Sequence, residues 1–128
     1  DRDVVAEVRG FLGSRARACE AAGIGRDRIV VDPGFGFGKT QAHNLDLLAG
    51  LPAIAAAGYP VLAGLSRKST LGAITGRPEG ERVAPSVAAA LLAVERGAAI
   101  VRVHDVRETV DALAVWRALD ERERGRHS

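Results

Sequence analysis

With 128 residues, 47% of them apolar and 27% charged, the chain has apolar material enough for the core of one domain and does not belong to the disordered class. Its 18 basic and 16 acidic residues leave a formal net charge of +2, and no basic run is interleaved with aromatics, which argues against a nucleic-acid partner. The single cysteine, Cys19, excludes an internal disulfide and a cysteine metal cluster; together with the lack of a membrane-length apolar run or an export signal, it makes the expected setting cytoplasmic, away from any membrane.

In chain order, Val4, Val5, Val8, Phe11 and Leu12 recur at helical spacing, which predicts an amphipathic helix over 2–22 stopped by Gly23. Ile29, Val30 and Val31 make a short apolar strand that delivers Asp32 into the glycine-rich stretch VDPGFGFGKT (31–40). A helix over 45–57 is interrupted at Pro52 and closed by Gly58. The second strand, 59–65, leads to Ser66, Arg67, Lys68 and Ser69 and a short helix, followed by the polar loop 77–82. Ser86 is placed to cap the next helix, with Pro85 able to shift its start, and Gly97 suits its end. The third strand, 98–103, delivers Arg102 and His104, with Asp105 after it. A last helix carries Val110, Leu113, Trp116 and Leu119 on one face, and the charged tail beyond it is expected to fray.

Gly38, Lys39 and Thr40 invite a phosphate-binding loop, but G-x-x-x-x-G-K-[ST] requires a glycine at position 33. Pro33 stands there, with its φ fixed and no N–H to give. The dinucleotide pattern G-x-G-x-x-G fails as well, since its last glycine would fall on Lys39 or Gln41. The loop therefore serves something other than a nucleotide.

The order α-β-α-β-α-β-α, with apolar strands of the kind buried on both faces, describes an α/β chain with three parallel strands and flanking helices. Such units build either an open doubly wound sheet or a closed (β/α)8 barrel. In both, the ligand lies beyond the carboxyl ends of the strands.

Three motifs stand at those ends about 30 residues apart, as βαβ units require: DPGFGFGKT with His43 and Asn44 soon after, GLSRKS at 64–69, and RVHD at 102–105. Together, and in this order, they resemble dihydropteroate synthase. The resemblance implies strands six to eight of a (β/α)8 TIM barrel, so that 1–128 is a partial pterin-binding barrel domain without its N-terminal part; a complete barrel takes about 250 residues. It also implies the family's reaction, in which 6-hydroxymethyl-7,8-dihydropterin diphosphate and p-aminobenzoate give 7,8-dihydropteroate and pyrophosphate in folate biosynthesis. Mg2+ is the implied cofactor, with its ligands in the part not present here. A homodimer is implied for the full-length protein, as is inhibition by sulfonamides, which mimic p-aminobenzoate.

By that resemblance Asp32 holds the pterin's adjacent N–H donors, for which an ionised carboxylate is the matching acceptor. Lys68 points at the ring's acceptors, Phe37 covers p-aminobenzoate, and Ser69, opening a helix, meets its carboxylate. Ser66 and Arg67 belong to the same substrate-binding loop, although Arg67 could equally be a solvated loop residue. Arg102 and His104 alternate along a strand and so project to one face, where arginine stacks on the pterin and both donate to the diphosphate. Lys68, Arg102 and His104 are thus the expected catalytic residues. No residue present is expected to bind metal, and no general base stands out. Phe35 is read as packed beneath its own loop, and His43 and His127 as a loop and a tail residue. The alternatives are a barrel methyltransferase acting on methyl-folates, which has no diphosphate to hold, and a non-catalytic anion-binding fragment.

Overall fold

The structure, a computed structural model, describes residues 3–36 and 39–127. The first helix, α1 (Val4–Ala21), begins where the Asp3 carboxylate accepts from the Ala6 N–H at 3.0 Å. It ends in a Schellman turn, in which Gly23 (φ 98°) donates to the Glu20 carbonyl and Ile24 to that of Cys19. After a 3-10 turn at Arg26–Arg28 the chain reaches the first expected strand, and here the expectation of three strands is corrected. Among the described residues this segment contributes a single parallel bridge, Val31 to Val61. The turn before it and Pro33 after it leave room for two ladder bonds only, Val31 N–H to the Pro60 carbonyl and Leu62 N–H to the Val31 carbonyl, both 2.9 Å.

The helix expected over 45–57 is two helices, α2 (Gln41–Ala49) and α3 (Leu51–Ala55), and the break falls at Gly50 instead of Pro52. Pro52 sits in the first turn of α3, where its missing N–H costs nothing. Helix α2 starts early because the Thr40 hydroxyl accepts from the His43 N–H at 3.1 Å, which also moves His43 from a loop into a helix. Gly50 is required by packing: a Cβ there would lie 2.6 Å from Val5 Cγ2 of α1.

Strands β1 (Val61–Ala63) and β2 (Ala98–Val101) pair in parallel and form the sheet. Between them run α4 (Ser69–Thr75) and α5 (Val83–Glu95). Helix α5 begins before Ser86, with Pro85 in its first turn, so Ser86 is a buried residue of the helix and not its cap. It buries Ala89, Ala90 and Ala93 and packs against β2, small side chains permitting close approach. The core joins Val31, Phe35, Leu47, Leu51, Ile54, Val61, Ala63 and Leu71. Helix α6 (Val106–His127) packs on α5 and continues through the expected tail, with Arg124 bonded to Asp120 at 2.9 Å one turn back. Its expected apolar face is only partly covered: Leu113 and Trp116 are half-buried, Val110 and Leu119 are exposed, and Thr109 is buried.

Candidate functional site

Because the pairings are parallel, the segments following Val31, β1 and β2 emerge on the same side of the sheet. The first segment holds itself in shape. Asp32 Oδ1 accepts from the Gly34 N–H at 2.8 Å, an Asx turn, while Lys39 Nζ donates to the Gly34 carbonyl at 2.9 Å. Gly34 and Gly36 have φ of 73° and 88°, conformations that glycine adopts freely. The Gly36 N–H donates to Asn44 Oδ1 at 2.9 Å, and the amide of buried Asn44 in turn donates to Thr70 Oγ1 at 2.8 Å, which links the loop to α4. Phe35 packs in the core beneath the loop, as its position suggested. Phe37 lies outside the described residues.

Lys68 crosses from the second segment to the first. Its Nζ donates to the Phe35 carbonyl at 2.6 Å, and a Cβ on Gly36 would come within 3.2 Å of its Cδ. The glycine at 36 thus clears a path for a lysine side chain. Burial first, then the charge of Arg102, pushes the Lys68 ammonium below the ordinary lysine value, with Asp32 opposing and Lys39 adding to the effect. Phe35, Gly36, Lys68 and exposed Ser69 line an open cavity of about 190 Å³.

Strand β2 ends at Val101, so period-two alternation does not carry through to His104. Both residues nevertheless reach the segment after β1. The Arg102 guanidinium lies over Gly64, where a Cβ would stand 2.7 Å from its Nη2, and its Nη1 is 3.8 Å from Asp32 Oδ2. The buried Ser66 hydroxyl accepts from the His104 N–H at 3.1 Å and pairs with His104 Nδ1 at 2.9 Å. If the Ser66 hydroxyl donates this hydrogen bond, Nδ1 is the acceptor and the neutral ring carries its proton on Nε2, the nitrogen that Ser66 does not engage.

Arg67 turns away from this cluster. Its Nη2 and Nε donate to Asp105 Oδ1 and Oδ2 at 2.5 and 3.2 Å. The bond raises the Arg67 pKa and holds the Asp105 carboxyl below the usual range. Sequence reasoning placed Asp105 after the third strand without a role, and missed that it is buried and committed to Arg67. It also missed Asn44, Thr70 and Arg82, which act on the loop backbones. The available signal was an acid directly after R-x-H, past the end of the strand that pairs with the one preceding Arg67.

Among the described residues no group of three His, Cys, Asp or Glu side chains is placed to hold a metal ion, and no helix is long and apolar enough to cross a membrane. What has gathered is one carboxylate, a half-buried lysine, an arginine and a histidine around a glycine loop, an arrangement suited to a flat, polar, anionic ligand.

A family model described as pterin binding enzyme matches residues 1–104. The chain belongs to the pterin-binding enzyme family. Residues 32, 66–69, 102 and 104 all fall inside the match, and Asp105 lies one residue beyond it. This pterin-binding chain is 56% identical over 122 residues to the dihydropteroate synthase of Neisseria meningitidis serogroup B, covering 92% of itself and 43% of that relative. It superposes with a TM-score of 0.92 at 58% identity on dihydropteroate synthase from Xanthomonas albilineans in complex with 7,8-dihydropteroate, over 94% of this chain and 46% of that one. The same enzyme with 4-aminobenzoic acid also matches at a TM-score of 0.92 and 58% identity, over 94% and 44%. The chain spans less than half the length of these relatives.

Proposed function

We propose that the chain carries the C-terminal part of a dihydropteroate synthase active site, on the C-terminal portion of a (β/α)8 barrel. The observation that carries this reading is the joining of three strand-end segments into one charged cluster: Asp32 beside Arg102 at 3.8 Å, Lys68 reaching the Phe35 carbonyl of the glycine loop at 2.6 Å, and His104 held by Ser66. Asp32 Oδ1 spends one lone pair on the Gly34 N–H, and the remaining acceptor sites suit the adjacent donors of a pterin edge. Lys68 serves the ring's acceptors. Arg102 and His104 serve the diphosphate, and Ser69 at the mouth of the cavity meets the p-aminobenzoate carboxylate, with Phe37 as its cover.

In the reaction the C–O bond to the diphosphate breaks, the p-aminobenzoate nitrogen bonds to the same carbon and loses a proton, and pyrophosphate departs. The aromatic amine is a weak nucleophile, so the contribution of Arg102, His104 and Lys68 is to hold the leaving group and stabilise its growing charge. No group of three His, Cys, Asp or Glu side chains among the described residues is placed to hold Mg2+, and no step here runs through the metal. Competition by sulfonamides, a homodimeric full-length protein and a cytoplasmic location belong to the same reading.

Calorimetric titration with 6-hydroxymethyl-7,8-dihydropterin diphosphate tests it. Asp32→Asn keeps an oxygen for the Gly34 N–H but turns a donor toward the pterin, so the affinity should fall by about 2 kcal/mol. Unchanged affinity would overturn the assignment of Asp32.

A further inference from the structure

We infer that Asp105, Arg82 and Ser86 are positioning residues for Lys68, acting through the backbone of Arg67. The inference rests on the reading of Lys68 as a substrate-binding residue. Among the described residues Arg67 is the one non-glycine with a positive φ, 56°, a conformation unfavourable to a residue with a side chain unless its surroundings hold it there.

Every polar group of Arg67 that the fold can grip is gripped. The Ser86 hydroxyl accepts its N–H at 2.8 Å, Arg82 Nη1 donates to its carbonyl at 2.8 Å, and Asp105 takes its guanidinium in bidentate fashion. The partners are anchored in turn. Arg82 Nε donates to the Arg77 carbonyl at 2.9 Å, and its guanidinium lies where a side chain on Gly72 of α4 would have to go. Asp105 is buried, and its carbonyl accepts from the Thr109 hydroxyl at 2.7 Å and from the Thr109 N–H at 3.0 Å.

The reversal at residue 67 lets its two neighbours serve different segments. Ser66 pairs with His104 on one side of it, and on the other Lys68 reaches the Phe35 carbonyl. An extended residue 67 would send the chain elsewhere and withdraw Lys68 from the glycine loop. The ion pair is therefore neither a ligand contact nor merely a staple for α6.

The test uses this chain with two readouts: titration of Lys68 followed by the NMR shift of its ε carbon, and calorimetric affinity for 6-hydroxymethyl-7,8-dihydropterin diphosphate. In Asp105→Ala and Arg67→Ala, Lys68 should leave its half-buried place among Arg102, Asp32 and Lys39 and titrate closer to ordinary lysine, with affinity reduced about tenfold or more. Arg67→Gly adopts the positive φ without a clamp, so it should restore both readouts toward wild type, and Asp105→Ala added to it should change little further. If Asp105→Ala does not fold, Arg82→Gln carries the same expectation. Folded variants with wild-type Lys68 titration would overturn the inference, as would Arg67→Gly behaving like Arg67→Ala. If the wild-type chain fails to bind the pterin diphosphate, the functional reading falls, and the Lys68 titration still decides whether the clamp positions it.

Discussion

Arg102 shows how one residue pair shapes the site. Its guanidinium occupies the space that a side chain at position 64 would take, and from there it faces the Asp32 carboxylate. A lysine at 102 would keep the charge and lose both the planar fork and the stacking surface. Arg102→Lys is therefore expected to weaken binding of the pterin diphosphate more than that of the free hydroxymethyl pterin, by about tenfold in the ratio of the two affinities measured by calorimetry. Equal losses for both ligands would remove Arg102 from the diphosphate. At this scale the sequence was legible wherever a polar residue stood just past an apolar strand: Asp32, Ser66, Lys68, Arg102 and His104 gather as strand-end logic demands. It was not legible where a polar group acts on a backbone. Nothing in the letters distinguishes an Asp105 that faces inward from one that faces water, or an Arg82 that spans two segments from a solvated loop residue.

At the scale of elements, helix cores were readable and helix ends were not, because an end is decided by whichever group reaches the last backbone amide. Thr40 starts α2 four residues ahead of the apolar pattern, and α5 opens at Val83 because Pro85 suits a first turn. The break between α2 and α3 comes from outside both helices. Val5 of α1 presses on Gly50, so Gly50→Ala should destabilise the chain by about 1–3 kcal/mol in denaturant unfolding. Adding Val5→Ala should recover part of that loss. Additive losses from the two substitutions would mean that the contact does not dictate the break.

For the whole molecule, the sequence announced an α/β chain with helices between parallel strands, and it overstated the sheet. Runs such as Ile29, Val30 and Val31 carry strand propensity, but a ladder needs donors at the right places, and a turn before and a proline after withhold them. Val110, Val115 and Leu119 of α6 and Ile100 of β2 are exposed. A solution of this chain is therefore expected to self-associate, as light scattering would show. Pteroate formation from both substrates with Mg2+ should be undetectable, since a barrel site draws groups from several strand ends and less than half the length of the relatives is present. Turnover near that of a full-length homologue from a soluble monomer would contradict both expectations. The two parallel pairings also set how the chain can fold. Val31 must find Val61, and Val61 must find Ala98, across intervals of roughly 30 residues or more, so each closure loses chain entropy before any ladder bond forms in return. Helices α1 and α5 can form from local contacts while the sheet still waits for its ends to meet, which makes the seam at Val31, with its two bonds, the last joint to close and the first to open.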